Sequence, residues 1–138
     1  MSIPSLIDGR LPPGIHRAAR DEIVDQFCSS TPERRRLLVP LDELIAIARE
    51  AGSPGLFLDG SFVSDKEGPR DIDAVMILPR GFDRKGQLAA RLRVLHHEFG
   101  FDIEQVPVDD QEERDYLLNE FFGTDRSGNP RGLLEVLL

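Results

Sequence analysis

One run of residues constrains the fold more than any other part of the chain. Residues 72–78, Ile-Asp-Ala-Val-Met-Ile-Leu, are apolar on both faces after Asp73. A strand with one face in water alternates apolar and polar side chains, so this run predicts a central strand that is covered on both sides. Pro79-Arg80-Gly81 ends the run. The chain must therefore build a sheet with other elements packed against it.

Helical and strand patterns alternate around this run. Residues 1–19 are rich in proline and glycine and predict an extended N-terminal arm. Helices are predicted at 21–28, from Thr31 to about Ala51, from a cap at Asp83 to Gly100, and at 111–122; strands are predicted to begin at Leu56 and to occupy 101–108 and 133–138. This alternation predicts an α/β (α+β) fold, with a small mixed sheet flanked by helices in a single domain over 1–138.

The second helix carries clear boundary signals. Thr31 is a typical N-cap residue, and Pro32 suits the first helical position. Gly52 should end the helix. Pro40 lies inside it and should kink or split it near Val39. Cys28, the only cysteine, falls on the apolar face of the preceding helix and is predicted to be a core residue rather than a nucleophile.

The charge balance restricts the partners. The chain has 17 Lys and Arg residues against 25 Asp and Glu residues, a formal net charge of −8. Non-specific binding to nucleic acid or to an anionic membrane relies on cations, so neither partner is expected. The one dense basic run, Arg34-Arg35-Arg36, is predicted to be a solvated helix face. No apolar run approaches a membrane span and no export signal is recognisable, so a cytoplasmic location is expected.

Two aspartates at the start of the central strand carry the chemistry. Asp71 and Asp73 are two residues apart, so both carboxylates should leave the same face of an extended chain. Like charges this close repel unless a cation lies between them. Mg²⁺ (or Mn²⁺) prefers oxygen ligands and suits the pair. The pair is therefore predicted to be a metal site.

Gly60-Ser61 ends the preceding strand and supplies the second half of the motif. Glycine lets the backbone approach a phosphate closely, and the N–H groups of a tight turn bind anions. Ser61 adds a hydroxyl donor. Lys66 and Arg70, in the loop that follows, are candidates for neutralising a triphosphate, as are Arg126 and Arg131 near the end of the chain.

The combined pattern resembles a known motif. Asp59-Gly60-Ser61, a loop over 62–70 and Asp71-Ile72-Asp73-Ala74 resemble the signature of the DNA polymerase beta-like nucleotidyltransferases. An apolar residue is usual at the position of Asp59, so the chain departs from the motif there. Three further segments are similar to a family of small stand-alone bacterial nucleotidyltransferase-like proteins: Leu11-Pro12-Pro13-Gly14-Ile15-His16, Asp59-Gly60-Ser61-Phe62 and Arg131-Gly132-Leu133-Leu134.

The resemblance implies a nucleotidyltransferase-like fold, a third carboxylate and a reaction. Asp102 and Glu104 are the candidates for that carboxylate, and Asp102 is favoured because it lies between two apolar residues. The implied enzyme moves a nucleoside monophosphate from a triphosphate such as ATP to an acceptor hydroxyl. The net charge favours an acceptor on a protein. The alternative is a non-catalytic module that binds a nucleotide or a partner protein, as in toxin–antitoxin or defence pairs.

Overall fold

In a computed structural model of the chain, residues 3–121 and 131–138 are described, with side chains described except at 119–121. Within these residues five strands form one sheet in the order β1-β5-β2-β3-β4. The strands are β1 (Gly14–Ala18), β2 (Leu56–Asp59), β3 (Asp73–Leu78), β4 (Asp102–Pro107) and β5 (Gly132–Val136). The two outer pairs, β1 with β5 and β3 with β4, are parallel, while β2 is antiparallel to both of its neighbours.

Helices connect these strands. They are α1 (Arg20–Phe27), α2 (Pro32–Arg36), α3 (Leu38–Ala51), α4 (Gln87–Phe99) and α5 (Gln111–Asp115). A 3-10 helix over Gly60–Val63 follows β2 directly, and a π-helical segment over Tyr116–Phe121 continues α5. The predicted mixed sheet with flanking helices is confirmed. No helix in the described part of the chain is long and apolar enough to cross a membrane.

The central strand is covered on both faces, as its composition predicts. Ala74, Met76 and Leu78 point into the larger core, which lies under α1, α3 and α4. Val75 and Ile77 point the other way, into a smaller cluster that the π-helical segment covers with Leu117 and Leu118. The sheet therefore has two different faces. The first residue of β3, Asp73, belongs to the face of the smaller cluster.

The boundary signals are mostly confirmed. The Thr31 hydroxyl accepts a hydrogen bond from the N–H of Arg34, and Pro32 opens α2. Gly52 adopts a left-handed conformation with φ of 71° and ends α3. The predicted break occurs, but at Leu37 rather than near Val39, because Pro40 is accommodated in the first turn of α3, where its missing N–H has no helical partner to lose.

Three predictions are wrong in detail. Asp83 does not cap α4, whose N-cap is Gly86; its carboxylate instead accepts from the N–H of Lys85 in the preceding turn. The N-terminal arm is not extended throughout, because residues 7–10 form a tight turn with positive φ at Asp8 and Gly9, whereas residues 14–18 are extended as β1 beside β5. The predicted helix at 111–122 changes to π geometry at Tyr116. The loop predicted at 123–130, with Arg126, lies outside the described residues.

Candidate functional site

Three aspartates lie side by side at the same end of three neighbouring strands, β2, β3 and β4. In the strand register Asp59 of β2 is opposite Asp73 of β3, and Asp73 is opposite Asp102 of β4. Register partners on neighbouring strands share a face. Since Val75 and Ile77 alternate with Ala74 and lie on the smaller cluster, the three carboxylates belong to that face, away from α3 and α4.

Asp73 is the electrostatic centre of this row. The pKa of its carboxyl is raised to about 6, first by burial and then by the charges of Asp71, Asp102 and Asp59, while the charge of Arg131 acts in the opposite direction. Asp71 lies before the first residue of β3, so strand alternation does not place it, but its charge still acts on Asp73. Crowded carboxylates of this kind attract a proton or a cation.

This crowding predicts a pH-dependent stability. The pKa of Asp73 is about 6 in the folded protein against an ordinary 3.8, so the folded state holds an extra proton between those values. Stability should therefore fall as the pH rises through that window. Asp73→Asn removes the penalty and should be more stable than the wild type above pH 6, by up to about 3 kcal/mol, and equal to it below about pH 4. Urea unfolding across this range measures the difference.

Asp109→Asn is the matched control, because Asp109 is exposed and pairs with exposed Arg80 on the surface. Its stability should follow the wild type at every pH. An Asp73→Asn variant that is less stable than the wild type at pH 7 would show that the ionised carboxylate supports the fold, contrary to the repulsion described here.

Asp59 stands where the resembled motif usually has an apolar residue, and its surroundings in the structure accommodate the carboxylate. Its side chain is only 4% exposed and forms an ion pair of 2.5 Å with Arg131, which directly precedes β5. Burial raises the pKa of Asp59, while the N–H of Gly60 and the charge of Arg131 oppose the rise. Sequence reasoning missed this pair; the only available signal was an acid at an apolar position together with an arginine just before the last strand.

Gly60 brings the backbone against the carboxylates. Its φ of 77° lies in the left-handed region, and a Cβ there would collide with a carboxylate oxygen of Asp73. Only glycine therefore allows the chain to turn from β2 into the 3-10 helix at this point. The turn sets Ser61 immediately beside the row of aspartates.

A cavity of about 480 Å³ opens next to this turn. It brings together three of the four predicted nucleotide-binding residues, Gly60, Ser61 and Lys66. The other lining residues are Arg10, Leu11, Asp59, Val63, Ser64, Arg131 and Gly132. Arg70, the fourth, lies instead along a separate groove beside Arg36 and Phe99, so its assignment stays a prediction that the cavity does not support.

Arg34 corrects the prediction of a solvated basic face. Its side chain is buried, with 2% of the residue exposed, while Arg35 and Arg36 are exposed. Burial lowers the pKa of its guanidinium, which makes six hydrogen bonds of 2.6–3.3 Å to backbone carbonyl oxygens. The acceptors are Phe27, Ser61, Phe62, Ser64 and Lys66. Arg34 thus holds the loop that lines the cavity.

The two candidates for the third carboxylate are placed differently. Asp102 is the direct register partner of Asp73, while Glu104 is opposite Val75, further along the same face. Among the charges that raise the pKa of Asp73, Asp102 takes part and Glu104 does not. This placement agrees with the preference for Asp102.

The donor chemistry can be compared with what a divalent cation needs. Asp71, Asp73 and Asp102 offer the hard oxygen donors that Mg²⁺ prefers, and repulsion at Asp73 is what a cation would relieve. Among the side chains that the structure describes, no group of three or more His, Cys, Asp or Glu residues is already gathered around a metal position. The residues therefore fit such a cation in type, and they would have to converge to coordinate it.

Comparison with known proteins gives one match. The model of a protein family described as a family of unknown function (DUF6932) covers residues 4–137. Neither the curated proteins nor the solved structures contain a match.

Proposed function

The chain belongs to this family of unknown function, and we propose that it is a metal-dependent nucleotidyltransferase. The observation that carries the proposal is the junction at Asp59-Gly60, where a row of carboxylates meets a cavity lined by cations. Phosphoryl transfer depends on positioning and on charge neutralisation, which call for acidic metal ligands beside cationic phosphate ligands. The site provides both kinds of group next to each other.

Each part of the site has a role in this proposal. Gly60, Ser61 and Lys66 bind the β- and γ-phosphates in the cavity. Asp71, Asp73 and Asp102 would hold Mg²⁺ or Mn²⁺, and the ion would supply neutralising charge for the triphosphate and would lower the pKa of the attacking hydroxyl. The acceptor oxygen forms a bond to the α-phosphorus while the bond between that phosphorus and the bridging oxygen to the β-phosphate breaks. Pyrophosphate leaves, and a carboxylate, Asp102, accepts the hydroxyl proton.

The acceptor in this proposal is a hydroxyl of a protein. An RNA or DNA acceptor has to be held by its phosphates, and each such contact needs a cation. The chain carries a net charge of −8, and among the aromatic side chains that the structure describes Phe99 and Tyr116 are the exposed ones, so it offers few platforms on which a single strand stacks. Arg34, which belongs to the one dense basic run of the chain, is buried inside the fold and does not face a ligand at the surface. A basic partner protein is a better match to this surface.

Binding of metal and nucleotide tests the first half of the proposal. Each of ATP, CTP, GTP and UTP is added with Mg²⁺ or Mn²⁺, and thermal unfolding is compared with metal alone and with nucleotide alone. A ligand at 100 times its dissociation constant should stabilise the fold by about 2.7 kcal/mol. No shift with any of the four at millimolar concentration would contradict the proposed site.

Transfer of a labelled nucleotide tests the second half of the proposal, which is the reaction itself. The protein is incubated with Mg²⁺ and ATP or CTP labelled at the α-phosphate, together with a total RNA pool or with a pool of host proteins. Label on a protein is expected, while γ-labelled nucleotide should transfer nothing, which separates this reaction from a kinase. Label on RNA would overturn the choice of acceptor. Stabilisation by nucleotide without transfer to either pool would favour the non-catalytic binding module.

A further inference from the structure

Residues 7–13, a segment of the N-terminal arm, form one wall of the cavity. The sequence alone suggested no role for this segment. Arg10 and Leu11 of this arm line the cavity together with Gly60 and Ser61. Leu11 is 4% exposed and belongs to the larger core, whereas Arg10 is exposed. The arm is therefore anchored by one side chain while it presents the next one, a cation, at the cavity.

Backbone contacts hold the arm on both sides of the cavity. On one side the N–H of Asp65 donates to the carbonyl of Gly9 at 2.9 Å, and Arg10 forms a bridge with Ser64. Ile7 and Arg10 close a tight turn through reciprocal hydrogen bonds of 2.7 and 3.1 Å. These contacts use the main chain of Arg10 and hold its backbone at the cavity.

On the other side the arm packs against the start of β5. A Cβ at Gly132 would collide with the carbonyl oxygen of Pro12 and with the side chain of Leu11. The absence of a side chain at Gly132 thus lets the arm lie directly on the sheet. The arm spans the gap between the loop after the 3-10 helix and the residue that follows Arg131.

The arm also completes a local reversal of charge. Arg10, Lys66 and Arg131 come from three separate segments and line one cavity, and among the lining residues that the structure describes Asp59, which pairs with Arg131, is the acidic one. In a chain with net charge −8 this is a concentration of positive charge. Three cations around one concave surface suit a ligand with several negative charges close together.

We infer that the N-terminal arm is part of the binding site and that Arg10 binds the polyphosphate of the nucleotide, an inference that rests on the proposed function. Lys66 from the loop and Arg10 from the neighbouring arm both contact the chain of phosphates. The arm supplies, within one small domain, a phosphate-binding wall beyond the Gly60-Ser61 turn.

The test measures binding of two probes, ATP with Mg²⁺ and inorganic tripolyphosphate, by calorimetry. Arg10→Gln should weaken both by about tenfold or more, because it removes a charge-assisted hydrogen bond. Arg10→Lys, which keeps the charge, should recover part of the loss. Arg17→Gln is the control: Arg17 is an exposed arginine on β1 that pairs with Glu135 away from the cavity, and this variant should bind like the wild type.

The outcomes separate the inference from the proposal beneath it. If the wild type binds both probes and Arg10→Gln binds them equally well, the inference is overturned and the proposed function stands. If the wild type binds neither probe, the proposed function fails and the inference fails with it. An equal loss in Arg10→Gln and Arg17→Gln would reduce the effect to overall charge and also overturn the inference.

Discussion

Arg34→Met is expected to lower the free energy of unfolding by about 3–5 kcal/mol, the range for removing one partner of a buried charged contact. Methionine fills a similar volume, so the loss is mainly one of hydrogen bonds. The carbonyl oxygens of five residues lose their donor, and most of these belong to the loop after Gly60. Arg34→Lys should recover little, because an ammonium has three donors and lacks the planar fork that reaches these acceptors.

Arg35→Met is the matched control for this prediction. Arg35 is the next residue of α2, is exposed, and makes a side-chain hydrogen bond of 3.2 Å to the carbonyl of Ser29. Its replacement should change stability by no more than about 0.5 kcal/mol. Urea unfolding of the two variants side by side is the measurement. Equal effects would mean that water replaces the guanidinium without cost, and that Arg34 does not hold the loop.

Asp71→Asn and Asp73→Asn should each reduce nucleotidyl transfer at least 100-fold while the protein stays folded. A carboxamide removes a charge from the proposed metal site, and a 100-fold loss corresponds to about 3 kcal/mol of transition-state stabilisation. Asp102→Asn should fall in the same range. Initial rates with α-labelled ATP, measured together with thermal unfolding of each variant, separate loss of chemistry from loss of fold.

Glu104→Gln is the control that shows whether the loss of any one negative charge on this face of the sheet reduces transfer. Glu104 projects from the same strand and the same face as Asp102 but is opposite Val75, so its replacement should leave transfer nearly unchanged. A large loss in Glu104→Gln with full activity in Asp102→Asn would exchange their roles. Full activity in both Asp71→Asn and Asp73→Asn would place any transfer activity elsewhere on the molecule.

Local patterns explain why the elements could be predicted. The apolar run at 72–78 predicts β3 because a strand with apolar side chains on both faces keeps them from water only when both faces are covered. Thr31 and Gly52 mark the ends of the α2–α3 region through conformations that involve only a few neighbouring residues. The Gly60-Ser61 turn is predictable for the same reason, since its requirement for glycine arises at the turn itself.

The contacts that the sequence did not reveal join distant segments. The pairing of Asp59 with Arg131 depends on β5 lying beside β2, and such a register is not encoded in a short window. Arg34 was misassigned because runs of arginine are typical of surfaces, whereas its partners are backbone carbonyls, which have no signature in the sequence. The role of Arg10 was missed for a similar reason, because only the folded arm brings it to the cavity.

The placement of β1 at the edge of the sheet has a consequence for the order of folding. Among the described strands β1 pairs with β5 alone, so β1 has no partner until β5, far along the chain, has been synthesised. Contacts between such distant segments are slow to form, since a long loop of chain must close first. During synthesis the β2–β3–β4 portion, with its row of aspartates, can assemble early. The cavity, which needs the arm and Arg131 together, is completed only after β5 has been synthesised.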